Sequence, residues 1–261
     1  MALLTVDFFS DALEVGNSLT VVLPQPTQAQ IGIGSGAAHD ELSSDPPVLY
    51  LLHGMSDDHT AWLRYTSIER YATQRGLAVV MPAVGRSFYA NEAHGHAYWD
   101  FLSEELPGLV GRFFRVSARR EDTFVAGLSM GGYGALKWAL RQPERFAAAA
   151  SLSGALDVVA LAALPERNEL PQRIYGGMPG PDEDLFALLA DADPDSLPSL
   201  YVACGTEDHL FAGNTRFVDA AYEKGLDVEV DFRPGEHEWG FWDTEIQTVL
   251  AWLPLEAPAR G

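Results

Sequence analysis

From residue 48 onward, short apolar runs alternate with longer amphipathic stretches. The runs cover 48–52, 77–81, 123–126, 146–152, 200–204 and 228–232. The first five are nearly continuous in apolar residues, the pattern of strands covered by helices on both faces. The last sets Val228, Val230 and Phe232 against acidic neighbours, which predicts an edge strand. The amphipathic stretches between the runs predict helices over about 60–74, 99–114, 130–141, 214–224 and 241–253. Strand alternating with helix predicts an α/β fold with a mostly parallel, doubly wound central sheet and helices on both faces. The N-terminal third reads as extended: a β-type run over 18–24, ended by Pro24, precedes a Gly-, Ala-, Ser- and Pro-rich loop over 25–47. One stretch, 157–196, breaks the rhythm with Pro, Gly and Asp and only short helical pieces such as 185–190. It is expected to be a cap-like insertion within a single domain spanning 1–261.

Composition narrows the partners. The 261 residues include 37 acidic and 17 basic side chains, a formal net charge of −20. Such a surface repels phosphate backbones and anionic headgroups, so no nucleic-acid or membrane partner is expected. Only Lys137 and Lys224 are lysines. Cys204 is the only cysteine, which excludes an intrachain disulfide and a cysteine-based metal site, and its apolar surroundings predict a small buried thiol. The opening Met1-Ala-Leu-Leu-Thr-Val-Asp7 has no basic region and no long apolar stretch. Neither a signal peptide nor an anchor is expected, and a cytoplasmic location is. A homo-oligomer is compatible with the chain.

The strongest chemical signal is Gly127-Leu-Ser129-Met-Gly131, which fits Gly-x-Ser-x-Gly between a β-type run and a helical one. A nucleophilic serine needs that tight turn to project its hydroxyl, and the helix N-terminus beyond it favours developing negative charge. Leu51-Leu-His53-Gly54-Met55 closes the first core strand. Acyl transfer requires backbone N–H donors aimed at the tetrahedral oxyanion, and the amides of Met55 and Met130 are the candidates. His53 is expected to brace that loop. After the run 200–204 comes Gly205-Thr-Glu-Asp208, where Asp208 is the candidate acid and Glu207 its rival. After the last strand comes Gly235-Glu-His237-Glu-Trp239, whose histidine is the candidate base. The order Ser129, Asp208, His237 is that of α/β-hydrolases. Such chemistry calls for no cofactor and no metal. His94 and His96 lack further obvious ligands, and His209 reads as a loop histidine. The glycines of 32–37 loosely fit a dinucleotide fingerprint, but Pro46-Pro47 and no helix follow them. Trp62, Trp239 and Trp242 are candidate pocket walls or core packing.

In these blocks, together with Arg86-Ser-Phe-Tyr89, Glu104-Glu-Leu-Pro107, Pro143-Glu-Arg-Phe146 and Ser151-Leu-Ser-Gly154, the chain resembles the tributyrin-esterase group of the esterase D-like α/β-hydrolases. The resemblance implies hydrolysis of short-chain acyl esters, small molecules, with Ser129, Asp208 and His237 as triad and Met55 and Met130 as oxyanion donors. S-formylglutathione hydrolases, feruloyl esterases and mycolyltransferases are relatives of that group. The first usually carry a cysteine soon after the oxyanion segment, where this chain has Ser56-Asp57-Asp58. An acyltransferase and a non-catalytic binding scaffold are the competing readings on the same fold.

Overall fold

The computed structural model describes residues 1–25, 45–164 and 169–255. Most of the predicted 25–47 loop, and with it the glycines of 32–37, lies outside them. Eight strands form one sheet: β1 (Ala2–Ser10), β2 (Val15–Leu23), β3 (Val48–Leu52), β4 (Ala78–Pro82), β5 (Thr123–Leu128), β6 (Ala148–Leu152), β7 (Ser199–Gly205) and β8 (Val228–Arg233). Their spatial order is β1-β2-β4-β3-β5-β6-β7-β8. From β4 to β8 every pairing is parallel, whereas β1 and β2 add an antiparallel hairpin at one edge. β8 forms the other edge, as its alternating pattern predicts.

The helices are α1 (Ala61–Tyr65), α2 (Ile68–Gln74), α3 (Tyr98–Asp100), α4 (Leu106–Phe113), α5 (Met130–Arg141), α6 (Val158–Ala162), α7 (Glu169–Tyr175), α8 (Leu185–Asp191), α9 (Phe211–Glu223) and α10 (Trp239–Trp252). The strand period of two divides the core between the faces of the sheet. Val48, Tyr50 and Leu52 face one cluster with Val125, Leu136 and Phe217. Leu49 and Leu51 face the other, with Phe124, Trp62, Ile246 and Val249. The continuous apolar runs are therefore explained by burial on both sides. No described helix is long and apolar enough to cross a membrane.

Three departures from the sequence pattern have local causes. The expected helix over 60–74 is two helices, because Thr66 and Ser67 leave the helical conformation between them. The Thr66 hydroxyl donates to the Trp62 carbonyl, alongside the Thr66 amide, and takes the Ile68 amide in place of a helical backbone carbonyl. The expected helix over 99–114 contains a π-helical turn, Phe101–Glu105, between α3 and α4. The leading strand β1 was not set apart by the pattern, since apolar Leu3 and Phe9 point to solvent at its exposed edge.

The stretch 157–196 supplies α6, α7 and α8. Helix α8 packs on α5 and α9. Helix α7 docks beside the loop before α3, where its last carbonyls accept from the amides of Ala93 and His94.

Candidate active site

β3 connects onward to β4 on one side and lies against β5 on the other, so the chain reverses its direction of winding between β3 and β5. Clefts of open α/β sheets form at the carboxyl ends of strands at such a switch point. Here a cleft of about 680 Å³ lies there, lined by residues that follow β3 (Gly54, Met55) and β5 (Ser129, Met130), with Phe88, Leu161 and Trp239 among its other walls.

Ser129 sits in the turn from β5 into α5 with φ +54° and ψ −118°, a conformation costing about 1–3 kcal/mol for a residue other than glycine. Its surroundings fix it. The Ser129 amide donates to the Leu152 carbonyl at 2.9 Å, and its carbonyl accepts from Ala155 at 3.0 Å. Neighbouring backbone closes in so tightly that a Cβ at Gly127 would lie 2.3 Å from the Gly131 carbonyl oxygen, and one at Gly131 2.4 Å from that of Leu52. Both glycines of the motif are thus required by close approach.

The structure brings Ser129, His237 and Asp208 together. His237 Nε2 lies 3.1 Å from Ser129 Oγ, and Nδ1 lies 2.7 Å from Asp208 Oδ2. The other Asp208 oxygen accepts from the Leu210 amide at 2.8 Å. Burial opposes ionisation of Asp208, but the N–H donors of His237 and Leu210 outweigh it and hold the carboxyl below its usual range. An ionised Asp208 only accepts, so Nδ1 carries the proton and Nε2 presents its lone pair to the Ser129 hydroxyl. The imidazole rests edge-on against Trp242, ring centroids 4.9 Å apart.

Glu207 faces away from this chain. Its carboxylate accepts the Gly235 amide at 2.6 Å, and its own amide donates to the Gly235 carbonyl at 3.1 Å. This reciprocal pair ties the loop bearing Asp208 to the loop bearing His237. The Gly235 donor holds the Glu207 carboxyl below the usual range. Below the histidine loop, Arg233 pairs with the buried Glu245, joining β8 to α10, and Glu238 caps α10 through the amides of Gly240 and Phe241.

Met55 and Met130 both line the cleft, and neither amide has an acceptor among the described residues. A Cβ added to Gly54 would come 3.7 Å from Ser129 Cβ, so the loop after β3 lies directly beside the serine. His53 braces that loop as expected. Its Nδ1 donates to the Gly54 carbonyl at 2.7 Å and Nε2 accepts the Val84 amide at 3.1 Å, while burial keeps the imidazole neutral by lowering its pKa.

Trp239 and Trp242 line the cleft, whereas Trp62 is buried core and donates its indole N–H to the Leu52 carbonyl. His94 and His96 are exposed on their loop, and Cys204 is buried in β7.

The sequence reading missed Lys137, whose side chain is fully buried. Its ammonium donates to the Tyr89 carbonyl at 2.9 Å and to the Glu183 carboxylate. A lysine in the apolar run of α5, in a chain with two lysines, was the available signal.

A family model described as "Putative esterase" matches residues 38–253. The chain belongs to this esterase family. It is a carboxylic ester hydrolase, with relatives along nearly all of the given sequence. An acetyl esterase of Caldicellulosiruptor saccharolyticus is 30% identical, over 97% of this chain and 98% of its own. Among solved structures, the fluorophosphonate-binding serine hydrolase F of Staphylococcus aureus, with substrate bound, superposes with a TM-score of 0.86 at 35% identity, covering 97% of this esterase and 98% of that chain. An S-formylglutathione hydrolase from the same organism gives 0.83 at 35% identity, with the same coverage.

Proposed function

We propose that this esterase hydrolyses short-chain acyl esters through a Ser129–His237–Asp208 triad and an acyl-enzyme, as a member of the tributyrin-esterase group of esterase D-like hydrolases. The observation that carries the reading is the continuous hydrogen-bonded chain from the Asp208 carboxylate through His237 to the Ser129 hydroxyl. His237 Nε2 takes the hydroxyl proton as Ser129 Oγ bonds to the ester carbonyl carbon, and Asp208 stabilises the imidazolium. The oxyanion accepts from the Met55 and Met130 amides. On collapse, the imidazolium returns its proton to the departing alcohol. Water, deprotonated by the same nitrogen, then releases the acid.

The preference for short acyl groups rests on the acetyl esterase relative and on reading the recess beside the cleft as the place of the acyl group. Behind Phe88 and Leu161 lies a recess of about 20 Å³ lined by Val158, Ala162, Pro171 and Ile174. That is room for about one water and none for an extended alkyl chain. Helices α6 and α7 supply the wall of this recess, and we read the 157–196 stretch as a small cap within a single catalytic domain.

Hydrolysis of p-nitrophenyl esters from acetate to palmitate, with Ser129→Ala as control, tests the reading. Acetate and butyrate are expected to turn over, with a steep fall for longer chains and no activity in the variant. Equal rates for butyrate and palmitate would overturn the chain-length assignment. The 35% identity to an S-formylglutathione hydrolase favours a second reading, thioester hydrolysis, which rates on S-formylglutathione in the same assay would reveal.

A further inference from the structure

We propose that Asp208, His209 and His237 form a binding site for a zinc-type divalent cation that shuts the enzyme off. The three residues each offer one ligand atom, and these atoms all lie within 4.8 Å of one another. Zinc holds imidazole nitrogen at about 2.0–2.1 Å and carboxylate oxygen at about 2.0–2.2 Å, so ligand atoms around one ion sit roughly 3–4 Å apart. Little movement is needed to reach that arrangement. His209 Nδ1 is already 3.4 Å from Asp208 Oδ1, and the His209 ring lies against that of His237 with centroids 4.7 Å apart. The Asp208 side chain is fully buried, whereas that of His209 is 59% exposed and reachable from solvent.

The donor set selects the ion. Two imidazoles and one carboxylate suit zinc or copper better than magnesium or calcium, which prefer oxygen alone. Three protein ligands leave a fourth position for water from the cleft. Among the described residues, the side chains lining that cleft include Asp57 and Glu238 and neither lysine nor arginine, and the chain carries a net charge of −20, so its field draws cations in.

Inhibition follows from the two nitrogens of His237, and rests on the reading of that residue as the base. An ion on Nδ1 displaces the proton held toward Asp208. The proton moves to Nε2, so that nitrogen no longer offers Ser129 a lone pair. An ion on Nε2 occupies that lone pair directly. Either mode removes the base.

Zinc chloride is the probe, read by equilibrium dialysis and by p-nitrophenyl acetate hydrolysis, in the wild-type chain and in His209→Ala, each normalised to its own zinc-free rate. One zinc per wild-type chain is expected, with inhibition that a chelator reverses. His209→Ala is expected to raise both the dissociation constant and the inhibitory concentration at least ~10-fold, since even losing an outer partner of a ligand costs about 10–100-fold. Equal zinc sensitivity in the two proteins, or no binding at millimolar zinc, would overturn the site. His209-dependent binding that leaves hydrolysis intact would overturn its inhibitory role. A chain that binds zinc through His209 yet hydrolyses no ester would keep the site and overturn the catalytic reading instead.

Discussion

Helix α5 carries a polar cluster at each of two places, and the two use burial in opposite ways. At its N-terminus the Asp208–His237–Ser129 chain is open-ended: the last hydroxyl faces the cleft, and His237 holds one protonated and one bare nitrogen. Two turns along, Lys137 is enclosed. Its ammonium bonds the Tyr89 carbonyl and Glu183, lies 4.8 Å from the Trp99 ring centroid, and shares Glu183 with the Tyr133 hydroxyl. An unfinished network can pass a proton onward, whereas a saturated one holds elements in place. The closed cluster also serves the open one. Tyr89, bonded to Lys137 through its carbonyl, donates its hydroxyl to the His53 carbonyl at 2.9 Å, and His53 leads into the Gly54-Met55 loop beside Ser129.

The largest effect lies at the open end. Ser129→Ala is expected to lower kcat about 10⁶-fold, the loss seen when a serine hydrolase loses its nucleophile, while leaving the fold intact. Circular dichroism checks the fold and ester hydrolysis the rate. A variant within tenfold of wild type would move the reactive group away from α5 altogether.

The closed cluster breaks through stability instead. Lys137→Met leaves the Glu183 carboxylate without its cation, and breaking a buried pair in this way costs about 3–5 kcal/mol. Urea unfolding reads it. Changing both partners, Lys137→Met with Glu183→Leu, is expected to recover much of that loss, because the orphaned charge goes too. A single variant that loses under about 1 kcal/mol would put the pair in the class of exposed ion pairs and dissolve the contrast.

The two clusters differed just as much in how far the sequence disclosed them. Strands β3, β4, β5, β6 and β7 were legible because burial on both faces makes their runs continuously apolar. Ser129, Asp208 and His237 could be named as candidates because each lies shortly after the end of a strand, so chain order stood in for geometry. Lys137 and Glu183 are 46 residues apart, on a helix and on a turn of the irregular 157–196 stretch, and no local period encodes their meeting. Glu207 shows the finer limit. Its type and place suited the triad acid as well as Asp208 did, and only its direction toward Gly235 gives it the other task.

That task can be separated from chemistry. Glu207→Ala removes the acceptor that holds the Gly235 amide two residues before His237. A shift of about 1 Å in a catalytic group can cost about 10²-fold, so kcat is expected to fall roughly 10–100-fold with KM little changed. Glu207→Gln keeps an amide oxygen for the same bond and is expected to restore most of the rate. If Gln behaves like Ala, the charge of Glu207 matters rather than its hydrogen bond, and the brace is not what positions the histidine.

The smallest effect, and the one that most sharpens the contrast, is electrostatic. Burial pushes the Lys137 ammonium down to about 8, with Glu183 opposing the shift. Free lysine in the unfolded chain titrates near ~10.4. Below about pH 8 both states hold the proton and the contribution of Lys137 is constant. Between about pH 8 and ~10.4 the unfolded chain binds more protons than the folded one, so folding stability rises with pH across that window and levels off above it. Measured against Lys137→Met, which retains every other titrating group, wild type is therefore expected to gain about 2 kcal/mol between pH 7.5 and 10 in urea unfolding. A difference that falls across the window would mean that attraction to Glu183 outweighs desolvation. The cluster would then hold its charge more firmly than water does.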